Sequence, residues 1–282
     1  SASATDADEG GVLSYQWQLS TDGGNSWNNI DGATVERYTT AAVAFTENGY
    51  EYRCTVTNTK DEITATVFSN PAILGVVALP TITSQPQNTV VAEGTNATFN
   101  VVVETADIGI GGILSYQWQL STDGGSGWSD IGGANASSYT STAVTFTGSG
   151  YQYRCSATNT KDGITASVIS DAAILSVVAS PTIISQPQNT TILEEATATF
   201  SVTAEAADSG IGGILSYQWQ LSTNGGSIWN NIDGSTFNSH TTPAVAFANN
   251  GDQYRCQVTN TREGVSATFF SNPAILSVVA NP

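Results

Sequence analysis

The chain has few side chains of the types that carry catalysis. It contains a single histidine, His240. A histidine base needs a nucleophilic serine or cysteine and an orienting acid beside it, and no sequence pattern around His240 supplies them. His240 instead occupies the position that Tyr38 and Tyr139 hold in the repeats described below. We therefore expect it to replace a packed aromatic ring, and the sequence predicts that the protein is not an enzyme.

The three cysteines are spaced by 101 residues, at Cys54, Cys155 and Cys256. Each repeat holds one thiol and therefore cannot close a disulfide of its own. We expect each cysteine to act as a small buried apolar side chain. An intermolecular bridge is the alternative, and it requires an exposed thiol.

Acidic residues gather in the loop before one particular strand of each repeat. They are Asp6, Asp8 and Glu9, then Glu104 and Asp107, then Glu205 and Asp208. We interpret them as solvated loop acids and expect no cofactor. Ca²⁺ bound at the domain junctions is the alternative, because it takes six to eight oxygen ligands, although the loops have no dense Asp-x-Asp pattern.

One eight-residue stretch organises the whole chain. Ser-Tyr-Gln-Trp-Gln-Leu-Ser-Thr occurs at 14–21, 115–122 and 216–223. Such self-similarity at a fixed period indicates a tandem array. We divide the chain into repeat 1 (1–79), repeat 2 (80–179) and repeat 3 (180–282), and we use these names throughout.

The hydrophobic pattern predicts β-strands and no sustained helix. Apolar residues alternate with polar ones before and within the eight-residue stretch, as in strands with one buried face. Asp123-Gly124 predicts a tight hairpin turn after it. The long apolar run 164–178 contains Ser-Asp-Ala where the other repeats have Ser-Asn-Pro, and a proline there implies a bulge or a sheet edge. The array is therefore predicted to be all-β.

A tryptophan followed 37 residues later by the cysteine of a Tyr-Arg-Cys sequence resembles the immunoglobulin fold. The residues that carry the resemblance are Trp17, Tyr52 and Cys54; Trp118, Tyr153 and Cys155; Trp219, Tyr254 and Cys256. The repeats are most similar to the tandem immunoglobulin-like domains of bacterial and phage surface and virion proteins. The resemblance implies that these nine residues form the structural core and that the tyrosines form tyrosine corners. Val101 and Val202 stand where antibody-type domains have the second disulfide cysteine.

The hairpin 20–27 also resembles an Asp-box, Ser-x-Asp-x-Gly-x-Thr-Trp, which is a structural motif. Repeat 3 departs from it at Asn224. Trp27, Trp128 and Trp229, which end this hairpin, are expected to cover the edge of the sandwich.

The basic residues recur at regular positions. Arg53, Arg154 and Arg255 should point outward, between an inward Tyr and an inward Cys. Lys60, Lys161 and Arg262 lie at the tip of the last hairpin, near the acidic loops. We hypothesise that Lys161 or Arg262 pairs with a loop acid and limits bending between domains, as an exposed pair of about 0–1 kcal/mol.

Composition restricts the partners. The formal net charge is −17, whereas nucleic acid and anionic membranes attract clustered Lys and Arg. No apolar run is long enough for a membrane-spanning helix. We therefore expect no nucleic acid and no membrane insertion. Tyr50, Tyr151, Lys60, Lys161 and Arg262 are the candidate partner-contact residues.

Repeat 1 lacks the first two strands of the other repeats, since Ser1 aligns with Thr203. The chain also contains no Met. We expect either that the natural chain continues upstream or that another chain donates the strands.

The sequence thus predicts tandem immunoglobulin-like β-sandwiches joined by short linkers, Val77-Ala-Leu-Pro80 and Val178-Ala-Ser-Pro181. These linkers have few flexible residues, so neighbouring repeats should lie nearly in line. The predicted function is an extracellular structural rod, as a spacer, fibre or decoration on a virion or bacterial surface with weak multivalent adhesion. Its partners would be other structural chains or copies of itself. The alternative is an adhesin module that binds a host receptor or glycan through its loop tips.

Overall fold

The computed structural model describes residues 10–282, which fall into two compact units. The first comprises the described part of residues 1–81 with residues 103–115 and 157–168. The second comprises residues 82–102, 116–156 and 169–282. The first unit thus holds repeat 1 with the end of repeat 2 that follows the first linker, and the second holds the second linker with all of repeat 3.

The described residues form 25 strands, and every helical segment among them is a short 3-10 turn. In repeat 1 the strands are β1 (Val12–Ser20), β2 (Asn28–Asn29), β3 (Glu51–Lys60), β4 (Ile63–Phe68) and β5 (Ala72–Ile73). In repeat 2 they are β6 (Thr81–Ser84), β7 (Thr89–Ala92), β8 (Thr98–Asn100), β9 (Val102–Glu104), β10 (Ile113–Ser121), β11 (Ser129–Asp130), β12 (Ser138–Thr140), β13 (Gln152–Lys161), β14 (Ile164–Ile169) and β15 (Ala173–Val178). In repeat 3 they are β16 (Thr182–Ser185), β17 (Thr190–Leu193), β18 (Thr199–Ser201), β19 (Thr203–Glu205), β20 (Ile214–Ser222), β21 (Asn230–Asn231), β22 (Ser239–Thr241), β23 (Gln253–Arg262), β24 (Val265–Phe270) and β25 (Ala274–Val279). The 3-10 turns are Phe45–Glu47, Phe146–Gly148, Ser209–Ile211 and Phe247–Asn249. The all-β prediction is confirmed.

Repeat 3 is a complete two-layer sandwich. One layer is the sheet β17-β25-β23-β20-β21, with β24 also paired to β23. The other contains the pairs β18–β22 and β16–β19. Strands β20 and β23 are antiparallel with Trp219 opposite Cys256, and β17 runs parallel to β25. This arrangement is that of the immunoglobulin fold.

The core of repeat 3 is built from alternate residues of both layers. Along β23, Tyr254, Cys256 and Val258 are buried between less buried neighbours. Phe200 and Val202 reach them from the opposite layer, and Leu276 and Val278 from the last strand. The period of two follows from the alternation of side chains along a strand, and the burial of apolar area is the main stabilising contribution.

Repeats 1 and 2 reuse this plan. In repeat 1 the sheet runs β2-β1-β3-β4 with β5 also paired to β3, and Trp17 lies opposite Cys54. In repeat 2, β15 runs parallel to β7, and β8 pairs with β12. In repeat 1 the described residues form the sheet that contains Trp17, and the first strand of this sheet begins at Val12.

The run 164–178, in which one position aligns with a proline of the other repeats, is interrupted, as its sequence indicates. It forms β14 and β15, separated by Ser170, Asp171 and Ala172. At the break, the N–H of Ser170 donates to the carbonyl of Cys155, and the Ser170 hydroxyl accepts from the N–H of Cys155 at 2.9 Å. The strand thus leaves its ladder without leaving the backbone of Cys155 unpaired.

Candidate functional site

A buried polar cluster holds the linker that follows repeat 1. We call it linker clasp 1, formed by Ala78, Asp107, Gly112, Asn159 and Lys161. The N–H of Ala78 donates to Asp107 Oδ2 at 2.6 Å, and the amide of Asn159 donates to the carbonyl of Ala78 at 2.9 Å. Asn159 also donates to Asp107 Oδ2 at 2.7 Å. Both backbone groups of one linker residue are therefore bonded to side chains of the next repeat.

Electrostatics favour the ionised form of Asp107. Its carboxylate is fully buried, and Lys161 Nζ lies 3.3 Å from Oδ1. Burial alone would raise the pKa of Asp107, but the hydrogen bonds from Ala78 and Asn159 and the charge of Lys161 outweigh it, so the pKa is lowered. The carboxylate is thus a charged acceptor for the linker, and hydrogen bonds of this kind are among the stronger ones.

Local structure brings these residues together. Asn159 and Lys161 are two apart near the end of β13, so their side chains share one face of the strand. Gly112 immediately precedes β10, and a Cβ there would lie 2.3 Å from Asp107 Cβ and 3.0 Å from Asn159 Oδ1. Only glycine leaves room for the close packing of this aspartate and asparagine.

Linker clasp 2 repeats the arrangement after repeat 2 and is formed by Ala179, Asp208, Gly213, Asn260 and Arg262. The N–H of Ala179 donates to Asp208 Oδ2 at 3.3 Å, and Asn260 donates to the carbonyl of Ala179 at 2.8 Å and to Asp208 Oδ1 at 2.6 Å. The guanidinium of Arg262 lies 3.4 Å from Asp208 Oδ2 and donates to the carbonyl of Val177 at 3.1 Å. Arginine thus contacts the strand before the linker as well as the carboxylate.

The clasps differ from the sequence interpretation in the burial of their charged residues. Asp107 and Asp208 were expected to be solvated, and both are fully buried. Arg262 was expected to be exposed for a partner, but its side chain is only 5% exposed and faces Asp208. The physical reason is the linker, which covers these side chains and exchanges hydrogen bonds with them. Glu104 and Glu205 are exposed, and Asp6, Asp8 and Glu9 lie outside the described residues.

Neither clasp requires a metal to satisfy its carboxylate. Across residues 10–282, no group of three or more His, Cys, Asp or Glu side chains is placed to hold a metal ion. The same residues contain no helix long and apolar enough to cross a membrane. Ca²⁺ at the junctions stays a prediction.

The residues named as core lie in or beside the packed interior. Trp118, Trp219 and all three cysteines are fully buried, and Tyr153 and Tyr254 nearly so. Phe99 stacks on Tyr153 with ring centroids 4.4 Å apart. In repeat 1, Trp17 and Tyr52 are half-buried. Val101 and Val202 are buried, and Val202 belongs to one core cluster with Trp219 and Cys256.

The thiols are unreactive by environment. Burial raises the pKa of all three thiols, to about 11 for Cys155 and Cys256, because it disfavours the thiolate. Each is free. A thiol of this kind is a poor nucleophile at neutral pH.

His240 takes the place of a tyrosine ring. It stacks on Tyr254 at 5.7 Å, as Tyr139 does on Tyr153 at 5.8 Å. Its Nδ1 lies 2.9 Å from the hydroxyl of Ser235. Desolvation lowers the pKa of His240, so the neutral ring is favoured in the packed site.

The outward arginines cover the hairpin tryptophans, which the sequence interpretation missed. The guanidinium carbons of Arg53, Arg154 and Arg255 lie 4.2, 4.1 and 4.3 Å from the centroids of Trp27, Trp128 and Trp229. These distances are typical of cation–π contacts. The sequence signal that could have revealed these contacts is that the Arg and the Trp both recur every 101 residues.

The hairpin turn is the same in all three repeats. Asp22 accepts hydrogen bonds from the side chain and backbone of Ser26 and from Ser20, which lower its pKa to about 2. In repeat 3, Asn224 Oδ1 accepts from the hydroxyl of Ser222 and the N–H of Ile228, each at 2.9 Å. Asn224 therefore keeps the turn rather than weakening it, because the turn needs an acceptor oxygen and not a charge.

The remaining partner-contact candidates are less uniform. Tyr50 and Tyr151 are half-buried, and the Tyr151 ring lies against Gly148. Lys60 is exposed at the end of β3. The sequence interpretation did not single out Ala78, Gly112 or Asn159, or their counterparts in linker clasp 2, although all recur with the 101-residue period.

Solved structures with several immunoglobulin domains are similar to this chain at low identity. The three N-terminal domains of the bacteriophage RB49 Highly Immunogenic Outer Capsid protein (Hoc) are 17% identical, with 95% of this chain and 88% of that chain covered and a TM-score of 0.46. Titin domains I67–I69 (an E-to-A variant) are 13% identical, with 95% and 88% covered and a TM-score of 0.46. Drosophila OTK extracellular domains 3–5 are 14% identical, with 98% and 88% covered and a TM-score of 0.40. Similarity at this level does not assign a function.

No curated protein matches the sequence. One family model matches it three times, over residues 1–78, 81–179 and 182–280. These segments cover nearly the whole chain, so the protein belongs, as three tandem copies, to the family described as "Domain of unknown function (DUF8696)".

Proposed function

We propose that the protein is a non-enzymatic structural spacer whose linkers are held by clasps 1 and 2. In this role its immunoglobulin-like repeats form an extended, stiffened array on a virion or bacterial surface. The sequence resemblance of the repeats to bacterial and phage surface domains supports that location. Such an array displays its surface or adheres through weak contacts repeated along its length.

The observation that carries this proposal is the bonding of the linker backbone. In each clasp the N–H of one alanine donates to a buried aspartate and its C=O accepts from a buried asparagine. In a flexible linker these backbone N–H and C=O groups would instead be hydrogen-bonded to water. Ordering a residue costs about 1–2 kcal/mol of backbone entropy, so a linker held at both polar groups indicates selection for a fixed junction.

Small-angle X-ray scattering of the full chain tests the proposal. Asp107→Asn removes the charge that accepts from Ala78, and we expect a broader distribution of maximum dimensions than in the wild type. Asp162→Asn is the matched control. It removes one exposed acid from the neighbouring turn, at φ +50°, a conformation that asparagine tolerates. Identical scattering from Asp107→Asn and the wild type would refute a clasp that stiffens the junction.

A receptor- or glycan-binding adhesin is the second candidate, and the exposed phenylalanines favour it. Among the large exposed apolar residues, repeat 3 presents Phe237, Phe247, Phe269 and Phe270, whereas those of repeat 2 are aliphatic. Aromatic rings at a surface bury large apolar areas on binding. If repeat 3 is the adhesive one, Phe237→Ser abolishes adhesion of protein-coated beads to host cells, whereas a spacer role leaves adhesion unchanged.

A further inference from the structure

The sequence contains three Asn-Gly pairs, and the fold holds one of them differently from the other two. They are Asn48-Gly49, Asn224-Gly225 and Asn250-Gly251. An asparagine before glycine can cyclise, because the backbone nitrogen of the glycine can approach the side-chain carbonyl carbon without a Cβ in the way. The reaction needs a glycine N–H that is not held in another hydrogen bond. The environment of each glycine therefore decides which pair reacts.

Two of the pairs are held by backbone hydrogen bonds. The N–H of Gly49 donates to the carbonyl of Leu74, and the N–H of Gly251 donates to the carbonyl of Leu276, each at 2.9 Å. In both pairs the asparagine Oδ1 also accepts from the N–H of the valine two residues after that leucine. Ring closure would have to break both hydrogen bonds, so it is opposed at these two sites.

The hairpin turn around Asn224 leaves its glycine N–H unbonded. Within residues 10–282 no protein group accepts from the N–H of Gly225, whereas the N–H of Gly226 donates to the Ser222 hydroxyl at 2.9 Å. Gly225 is exposed at φ +70°, and a Cβ there would meet no atom within 4 Å. The attacking nitrogen is therefore accessible and can lose its proton to solvent.

The same turn polarises the carbon that is attacked. Asn224 Oδ1 accepts from the hydroxyl of Ser222 and from the N–H of Ile228, each at 2.9 Å. Two donors on a carbonyl oxygen stabilise the oxyanion that forms when a nucleophile adds to its carbon. Asp22 and Asp123 stand at this position in the other repeats, and hydrogen bonds from the residue four positions later lower the pKa of each. They are therefore carboxylates, which are poor electrophiles.

We propose that Asn224 is a site of spontaneous deamidation in the folded protein. The nitrogen of Gly225 forms a bond to Asn224 Cγ, its proton passes to the side-chain nitrogen, and ammonia leaves. Water then opens the resulting succinimide. Cleavage of the bond to Cγ gives aspartate in a normal backbone, whereas cleavage of the bond to the original backbone carbonyl carbon gives isoaspartate.

Aspartate at position 224 is the residue type that the other two repeats have. Asp123 Oδ1 accepts from the hydroxyl of Ser121 and from the N–H of Gly127, the counterparts of the two donors to Asn224. The turn therefore accommodates this product, and repeat 3 gains a negative charge at an exposed position. The protein would exist in two charge forms whose ratio records the time since synthesis. This inference goes beyond the spacer role and does not rest on the clasps.

Peptide mapping by mass spectrometry tests the proposal on the full chain, incubated at neutral pH while it stays folded. Asn48 and Asn250 are the matched controls within the same molecule, and Asn224→Asp supplies the reference peptide for the product. We expect Asn224 to convert about tenfold faster than either control, because each control must first lose hydrogen bonds. In urea the three sites should convert at similar rates, since only the fold distinguishes them.

Two results overturn the inference. One is equal conversion at the three sites in the folded protein, and the other is an Asn224 that reacts in urea but stays intact in the fold. Neither result affects the scattering of Asp107→Asn, so the inference and the proposed function fail separately.

Discussion

Asn159 donates a hydrogen bond to the carbonyl oxygen of Ala78 over 2.9 Å, although the two residues are 81 positions apart. Asn260 and Ala179 have the same separation and a distance of 2.8 Å. The donor lies on the strand that carries the core cysteine, whereas the acceptor lies in the preceding linker. The rigid core of one repeat therefore fixes the peptide bond by which the previous repeat is attached.

We expect Gly112→Ala to destabilise the protein. The new Cβ would lie 2.3 Å from Asp107 Cβ and 3.0 Å from the Asp107 backbone carbon, so the aspartate must move away from the linker. Overpacking of this kind costs about 1–3 kcal/mol. The free energy of unfolding from urea titration measures the effect.

Gly132→Ala is the control for that substitution. Gly132 is in the same repeat, and a Cβ there meets no atom within 4 Å. Its variant should match the wild type or gain up to about 1 kcal/mol through the unfolded state. Equal stabilities of the two variants would contradict the close packing around Asp107.

The stability that Asp107 contributes should disappear in acid. The pKa of Asp107 is lower in the folded protein than the value of about 3.9 in an unfolded chain. Its contribution is therefore complete above pH 4 to 5 and is lost as the pH falls through the folded pKa. The difference in unfolding free energy between the wild type and Asp107→Asn should shrink steadily from pH 5 to pH 2. A difference that stays constant over this range would show that the charge has no part in the clasp.

His240 should make repeat 3 sensitive to mild acid. Burial lowers its folded pKa below the usual 6.5, so the unfolded chain binds the proton more readily and stability falls as the pH drops below about 6.5. The double substitution His240→Tyr with Ser235→Ala recreates the Tyr139 and Ala134 pair of repeat 2. It should remove this loss, measured as the difference in melting temperature between pH 7.5 and pH 5.

The reverse exchange provides the control. Tyr139→His with Ala134→Ser should transfer the acid sensitivity to repeat 2, because both rings stack on the equivalent tyrosine at nearly the same distance. If repeat 2 stays insensitive, the histidine alone does not explain the effect.

The thiols of Cys155 and Cys256 should resist labelling in the folded protein. With a pKa of about 11, about a thousandth of each is thiolate at pH 8, and neither thiol is exposed. A disulfide reagent should react with them only as fast as the repeats open, and readily in urea. Ser126→Cys, at an exposed turn, should react at once. Rapid labelling of all native thiols would contradict their burial.

The fold could be predicted because its determinants are local and repeated. Three sequence features each reflect a packing requirement within one sheet. They are the spacing between Trp and Tyr-Arg-Cys, the apolar alternation along strands, and the break at Ser170 where other repeats have Ser-Asn-Pro. Those requirements give strands β20 and β23 with Trp219 opposite Cys256. The all-β immunoglobulin-like prediction is accordingly confirmed.

The burial of the clasp residues could not be predicted in the same way. Asp107 in a Gly-rich loop has the pattern of a solvated acid, and only the linker, 29 residues earlier in the chain, removes it from water. The stacking of Arg154 on Trp128 is equally non-local, since it joins strand β13 to the end of a hairpin turn 26 residues earlier in the chain. These residues recur with the period of the repeats, but contacts with residues far away in the chain decide their environment.

The clasps bind a small, buried residue through its backbone N–H and C=O and make no hydrogen bond to its side chain. Any duplicated 101-residue unit therefore arrives with a matching connector for its neighbours, and no compensating substitutions are needed at the new seam. Gene duplication and unequal recombination can lengthen, shorten or shuffle such a protein one unit at a time. The near-identity of the two linkers, Val77-Ala-Leu-Pro80 and Val178-Ala-Ser-Pro181, is what this mode of evolution predicts.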